Sequence, residues 1–359
     1  MIRLREGTVV AVRGSWSGVV ELVVRVDGVA ARALAYPELV GFPAAGDRVL
    51  LNTTAVHLEL GTGGYHLVIA CPDRLPPDPK GSGHVVKARY TPMQLTVLGV
   101  DEEDSPHRAA MESIDSLDGM PVVIADLHSA LPAILAAITH DSPELRVAYV
   151  MTDGGALPLW FSRTVALINE LGWLAGTVTS GQAFGGDLEA VTLHSALLAC
   201  RAVLGADIAV VTQGPGNLGV GTPWGFSGVA AGDAVNAVAA LGGRPVVSLR
   251  MSDADPRERH RGVSHHSRTA IGRVALAAAD VVVPTPLPSA LADAVSDDLA
   301  VSGIDARHRV VAVEVGDLDA VLRDCAVPLS TMGRDYDEDS AYFLAAAAAG
   351  RHAAQLFAF

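Results

Sequence analysis

Short Val-rich runs occupy residues 1 to about 71: GTVVAVRG, GVVELVVRVDG, VAARALAYP, GDRVLLN and YHLVIAC. Gly, Pro and Asp separate them at close spacing, a pattern that predicts the strands of a small barrel or sandwich. The polar connector PDRLPPDPKGSG comes next at residues 72–83, its Pro and Gly punctuating the chain. HVVKARYTPMQLTVLGV is strand-like again and either completes the barrel or leads out of it. The acidic stretch DEEDSPHRAAMESIDSLDG reads as an exposed turn and a short helix.

From about residue 119 the rhythm changes. Apolar runs at 121–126, 146–151, 173–179, 207–212, 245–250, 280–284 and 309–315 alternate with longer amphipathic stretches such as PLWFSRTVALINELG and DLEAVTLHSALLACRAVLG. Strands alternating with helices predict a parallel sheet covered on both faces. The expected fold class is therefore α/β: a Rossmann-like layered domain over 119–335, preceded by a barrel-like β domain over 1–100. An acid-led helix at 336–359 closes the chain, its acids suited to the positive end of the helix dipole. That helix is apolar enough to pack on another subunit, which keeps a homo-oligomer open.

Composition narrows the class. Half of the 359 residues are hydrophobic but only 5% are aromatic, so Ala and Val must do most of the packing. No run reaches the roughly 18–20 consecutive apolar residues that span a bilayer, and MIRLREGTVV lacks the layout of a secretory signal. Cys71, Cys200 and Cys325 stand far apart, as in a reducing compartment. The expectation is a cytoplasmic protein without membrane attachment. A net charge of −14 disfavours nucleic acid, while a local arginine cluster still permits an anionic small-molecule ligand.

In an open α/β sheet, ligands bind outside the carboxyl ends of the strands. The residues just past each strand are accordingly informative. Asp126 and His128 come after the first, Asp153, Gly154 and Gly155 after the second, and Ser180, Gln182, Asp187 and Glu189 after the third. QGPGNLGVGTPWGFSG, with Gln213, Gly214, Gly216 and Asn217, comes after the fourth. MSDADPRERHRGVSHHS comes after the fifth; from Asp253 to Arg268 it packs three acids, four arginines and three histidines. The opposite strand ends carry plain connectors such as HDSPELR and LGGR. Asp187 is a natural N-cap for a helix starting at Leu188, with His194 about two turns later on the same side. In SHHS, one histidine is expected to face Asp126 or Asp153, with a helix starting at Ser267 or Thr269.

Two mechanisms compete on these residues. Asp126, His128, His260 and His265 form a mixed oxygen–nitrogen set suited to a divalent metal as candidate cofactor, which would generate hydroxide. Alternatively Arg257, Arg261 and Arg268 grip a phosphate or carboxylate and the glycine loops add backbone donors. Asp126, His128, Asp153, His265 and His266 then supply acid–base groups. Gly214–Gly219 spells GxGxxG, but it comes after the fourth strand and no acidic residue ends the next one, which disfavours a dinucleotide. Ser180, Ser252 and Ser264 are available nucleophiles, yet none sits in GxSxG. The reading is an enzyme, hydrolase or transferase, acting on a small polar anionic metabolite. The alternative is a non-catalytic ligand sensor with a β interaction domain.

YTPMQ, DLHSALP, TDGGALP, TSGQAFGGDLEAVTLHSAL, TQGPGNLGVGTPWGFSG and RMSDADPRERHRGVSHHS together resemble a bacterial family known only as a domain of unknown function. The resemblance runs over nearly the whole chain and implies that the β and α/β regions are normally joined. It implies no activity or cofactor.

Overall fold

The computed structural model describes residues 1–61 and 63–357; the last two residues of the expected 336–359 helix lie outside them. Two compact units emerge, Met1–Leu98 with Trp160–Ala166, and Gly99–Leu159 with Leu167–Phe359.

In the first unit, β1 (Leu4–Trp16), β2 (Val19–Val26), β3 (Val29–Ala35), β4 (Arg48–Asn52) and β5 (His66–Ala70) close a barrel in the order β1-β2-β3-β5-β4. Closure leaves no strand edge to pair with other chains. The period-two pattern fills the interior: Val20, Leu22, Val24 and Val26 of β2 meet Val9, Ala33, Ala35, Val49, Leu51 and Val68. β6 (Val85–Lys87) and β7 (Leu95–Val97) form a two-stranded sheet of their own, so the chain after the connector leads out of the barrel. The unit is completed by a segment expected to belong elsewhere. Trp16 donates through Nε1 to the Trp160 carbonyl at 2.7 Å, and Arg163 lies over the Trp16 ring while bonding Glu21 at 2.6 Å. A partly buried indole nitrogen needs an acceptor, and the returning chain provides it.

The second unit carries β8 (Pro121–Ala125), β9 (Val147–Thr152), β10 (Gly176–Ser180), β11 (Leu188–Ala190), β12 (Ile208–Gln213) and β13 (Arg244–Ser248). After the two-residue strands β14 (Met251–Ser252) and β15 (Gly262–Val263) come β16 (Asp280–Thr285) and β17 (Arg309–Glu314). Eight of these form one sheet in the order β11-β10-β9-β12-β8-β13-β16-β17. Every pairing in it is parallel. The chain is thus an α/β protein with an N-terminal barrel, and the seven apolar runs read from the sequence each fall on a strand.

One element departs from expectation. β11 lies inside the stretch read as helical from Leu188, because the Asp187 carboxylate accepts from both the backbone N–H and the hydroxyl of Thr177 at 2.8 Å. That bond lays residues 188–190 alongside β10. The helix starts only at Leu193, capped by Thr192, whose hydroxyl accepts from the Ser195 N–H at 3.1 Å. Asp187 is no helix cap, and His194 is exposed.

The connections place the site. From β8 the chain crosses one way over the sheet to β9, and from β12 it crosses the other way to β13. Right-handed crossovers put the helix after β8, Leu131–Asp141, and the helix after β12, Ala230–Ala240, on opposite faces. β8 and β12 are neighbours, so the topological switch point lies between their carboxyl ends. The helix Ser340–Phe357 packs on Leu131–Asp141 and is buried from Ala345 through Ala354. A Cβ at Gly350 would come within 2.3 Å of the Ile134 carbonyl. The apolarity that suggested a subunit contact is thus used within the chain. Among the described residues no helix is long and apolar enough to cross a membrane.

Candidate functional site

The residues that end β8 and β12 meet at the switch point. Gln213 donates through Nε2 to the Asp126 carbonyl at 2.7 Å and to Asn217 Oδ1 at 2.9 Å. Asn217 Oδ1 also accepts from the Ser227 hydroxyl at 2.8 Å and the Gly228 N–H at 3.2 Å, tying the long loop after β12 over the crevice. Beneath it is a cavity of about 20 Å³ lined by Asp126, Thr152, Gln213, Ser227 and Gly228, room for one water. Asp126 Oδ2 and Gln213 Oε1 are buried there without a hydrogen-bond partner. Buried polar atoms are nearly always satisfied, so two orphaned acceptors at one switch point stand out. Burial pushes the Asp126 carboxyl up to about 6, against the pull of the Arg250 guanidinium.

Arg250, just past β13, is only 5% exposed. Its Nη2 has no hydrogen-bond partner, and the nearest carboxylate oxygen, Asp255 Oδ2, is 3.6 Å away. Its Nη1 lies 3.4 Å from His266 Nδ1, as does Asn217 Nδ2. Both neighbours are donors only, so Nδ1 is the acceptor. The His266 ring stacks on Phe226 at 3.9 Å with the planes 2° apart. Burial and the charge of Arg250 hold His266 neutral, its pKa driven down to about 3. His260, His265 and His266 converge, with ring centres 4.3–5.0 Å apart. His260 Nδ1 is 2.7 Å from the Ser264 hydroxyl, and His265 Nε2 is buried without a partner.

Residues 32–350 match DUF3866, a family described as a protein of unknown function. The chain belongs to this family. No curated protein and no solved structure matches it.

Within this DUF3866 member the residues singled out from the sequence separate into three groups. Asp126, Gln213, Asn217 and His266 gather at the switch point, linked through Gln213 and Asn217, with Arg250 beside His266. His128 opens the short 3-10 turn after the same strand and turns away: its Nδ1 is 3.0 Å from the Tyr149 hydroxyl, and burial takes its pKa down to about 4. Asp126 and His128 consequently diverge. Among the described residues the groups able to share an ion are His260, His265 and His266, and the exposed His140, Asp141 and Asp317. The expected set of Asp126, His128, His260 and His265 is not assembled.

A second group is structural. Asp153 is exposed and accepts from the Gln182 N–H at 2.8 Å, bracing two loops; it does not face a histidine of the SHHS segment. Gly154 and Gly155 let the loops after β9 and β12 touch. A Cβ at Gly154 would sit 2.6 Å from Gln213 Oε1, and one at Gly155 would sit 2.2 Å from the Gly214 carbonyl. At Gly214 it would meet the Ala156 carbonyl at 2.3 Å. The Ala156 N–H is spent on Pro215 at 2.9 Å, so part of the expected anion nest bonds the protein itself. Gly216 adopts φ +88° at the exposed start of the loop. Ser252 donates to Asp339 at 2.8 Å, and Ser264 caps the helix His265–Thr269 by accepting from the His266 N–H. Neither serine is a poised nucleophile. That helix starts two residues earlier than Ser267, and its helical backbone lets adjacent histidines converge.

The third group is the arginines. Arg257 is held bidentately by Asp255 at 2.9 and 2.8 Å, Arg268 pairs with Asp298 at 2.7 Å, and Arg261 donates to the Asp255 carbonyl at 3.0 Å. These three are committed internally. The guanidinium edge without a hydrogen bond belongs to Arg250, whose Nη2 has only the 3.6 Å ion pair with Asp255 and which the sequence pattern presents only as the end of a buried strand. An arginine closing an apolar run was the available signal. Arg334 and Asp339 also escape the sequence pattern; they pair with each other at 2.9 Å, and Arg334 reaches Asp255 at 3.2 Å.

Proposed function

We propose that the protein is an enzyme, a hydrolase or transferase, that binds a small polar anionic metabolite at the switch point between β8 and β12. The observation that carries this is a trio of buried polar atoms without a hydrogen bond: Asp126 Oδ2, Gln213 Oε1 and Arg250 Nη2, the last with only a 3.6 Å ion pair to Asp255. A molecule with an anionic group for Arg250 and a hydroxyl or amine for the two acceptors would satisfy all three. Leaving such atoms unmade costs about 1–3 kcal/mol each, an expense a binding site recovers on occupation.

Asp126 is the acid–base group. With a pKa of about 6 it is mostly ionised at neutral pH yet close enough to its midpoint to exchange a proton in either direction. Arg250 anchors the anion and, being fixed beforehand, stabilises negative charge that develops beside it. Gln213 orients the substrate through Oε1, its amide already fixed on Asp126 and Asn217. The cavity of about 20 Å³ admits a metabolite only after the loop 214–228 has lifted, so chemistry is coupled to loop movement.

A ligand sensor is the second reading. It is favoured by the hydrogen bonds of His260 and His266, which run to Ser264, Asn217 and Arg250 rather than to a carboxylate that would make them bases. Incubating a metabolite extract with the wild type and with Asp126→Asn, then recording mass spectra, separates the readings. Depletion of a phosphorylated or carboxylated compound by the wild type alone supports the enzyme. Retention of the compound on both proteins with no product supports the sensor.

A further inference from the structure

We infer that His260, His265 and His266 form a binding site for one divalent first-row cation, zinc fitting best. Each ring offers a nitrogen, and the three nitrogens lie within 4.8 Å of one another. A tetrahedral ion held at Zn–N distances of about 2.0–2.1 Å sets the centres of three imidazoles about 5 Å apart; the observed separations are 5.0, 5.0 and 4.3 Å. Little rearrangement is therefore needed to close the site.

The surroundings keep the ligands ready. A ring binds metal through a nitrogen lone pair, and His260 and His266 are buried while His265 is half-buried, which keeps the three rings packed together. Ser264 provides an outer partner: with Nδ1–H of His260 donated to its hydroxyl at 2.7 Å, Nε2 is left as the lone pair. His265 Nε2 has no other partner. His266 has the most to exchange, because its Nδ1 accepts from Arg250 and Asn217, both at 3.4 Å. Those contacts are long and weak, and a metal–nitrogen bond outweighs them. The positive charges nearby are largely cancelled in place, Arg257 by Asp255 and Arg268 by Asp298. Arg250, with only a 3.6 Å ion pair to Asp255, and Arg259, which also acts on His265, remain, and they favour an anion or hydroxide as the fourth ligand. Three neutral imidazoles with one open position give a bound ion the means to acidify water. This inference does not depend on the role of Asp126, since it is read in the absence of any substrate.

The test uses untagged full-length protein, stripped with chelator and titrated with Zn²⁺ and separately with Co²⁺. One equivalent of each is expected, with the strong visible bands of tetrahedral Co²⁺ and a Zn²⁺-dependent rise in melting temperature. Losing an outer partner of a metal ligand weakens binding about 10–100-fold; losing a ligand outright should exceed that. His265→Ala, at a half-buried position outside the apolar core, should thus lose more than about 100-fold in affinity together with the melting shift. His260→Ala should do the same. Exposed His194→Ala and His140→Ala should bind as the wild type does. Absence of saturable uptake, uptake that survives His265→Ala, or uptake abolished by His140→Ala would each overturn the proposal.

Discussion

Gln213 Nε2 donates to the main-chain oxygen of Asp126 at 2.7 Å, while the carboxyl Oδ2 of that same aspartate is buried with no partner. The backbone of Asp126 is fixed and one oxygen of its carboxyl is left unsatisfied. Its folded pKa of about 6 lies above the ordinary value of 3.8, with Arg250 and Tyr342 the ionisable groups facing it. The folded state therefore holds the proton more tightly than the unfolded chain. Stability falls as pH rises from about 4 to 6 and levels off above, by roughly 3 kcal/mol in all. Asp126→Asn should remove this slope and be the more stable protein at pH 7. Urea unfolding of both proteins from pH 4 to 8 measures it; parallel curves would show that the carboxyl is not strained.

His128 should act in the opposite pH direction. Its folded pKa of about 4 lies below the ordinary 6.5, so the unfolded chain takes up the proton first. Its contribution is intact above about pH 6.5 and is lost as pH falls toward 4, by roughly 3 kcal/mol. His128→Asn should flatten the acid limb of the stability profile between pH 6 and 4. An unchanged limb would place the acid sensitivity elsewhere.

How much of this was legible depended on the range of the interaction. The strand ends were visible because each apolar run stops at a polar cluster, and period-two alternation identified the barrel. Several misreadings turn on partners remote in sequence. Asp187 before Leu-Glu looks like a helix cap until Thr177, ten residues back, claims it. Arg268 looks free for a ligand until Asp298 is seen beside it. The segment Trp160–Ala166 reads as the start of a helix in the α/β region until the Trp16 indole nitrogen is found to need its carbonyl. Arg250 was hidden for a different reason: at the end of VVSLR its position in a buried strand outweighed its charge.

Two glycines picked from the sequence as ligand contacts should instead behave as packing residues. Gly155→Ala and Gly214→Ala each place a methyl within 2.2–2.3 Å of a backbone carbonyl, and backbone cannot move aside cheaply. Each is expected to destabilise the protein by about 2 kcal/mol or more, measured as a lower urea midpoint. A substitution costing nothing would mean that the two loops are looser than their contact implies.

Asp255 is the hub of the 251–267 loop. It is wholly buried and pairs with Arg257 and Arg334, with Arg250 just beyond, which holds its carboxyl far below the usual range. Asp255→Ala leaves these guanidinium groups without their shared counter-charge and should cost about 3–5 kcal/mol. Arg257→Ala, at a partly exposed position, should cost far less. Thermal melts of the two variants check the order; equal losses would contradict it.

The most direct test of the switch-point site is the thermal response to a panel of small phosphorylated and carboxylated metabolites in the wild type, Arg250→Met and Asp126→Asn. At least one compound should raise the wild-type melting temperature. Arg250→Met should abolish that rise, and Asp126→Asn should keep it while losing turnover of the same compound. A panel without effect, a rise undiminished in Arg250→Met, or full turnover by Asp126→Asn would contradict the account.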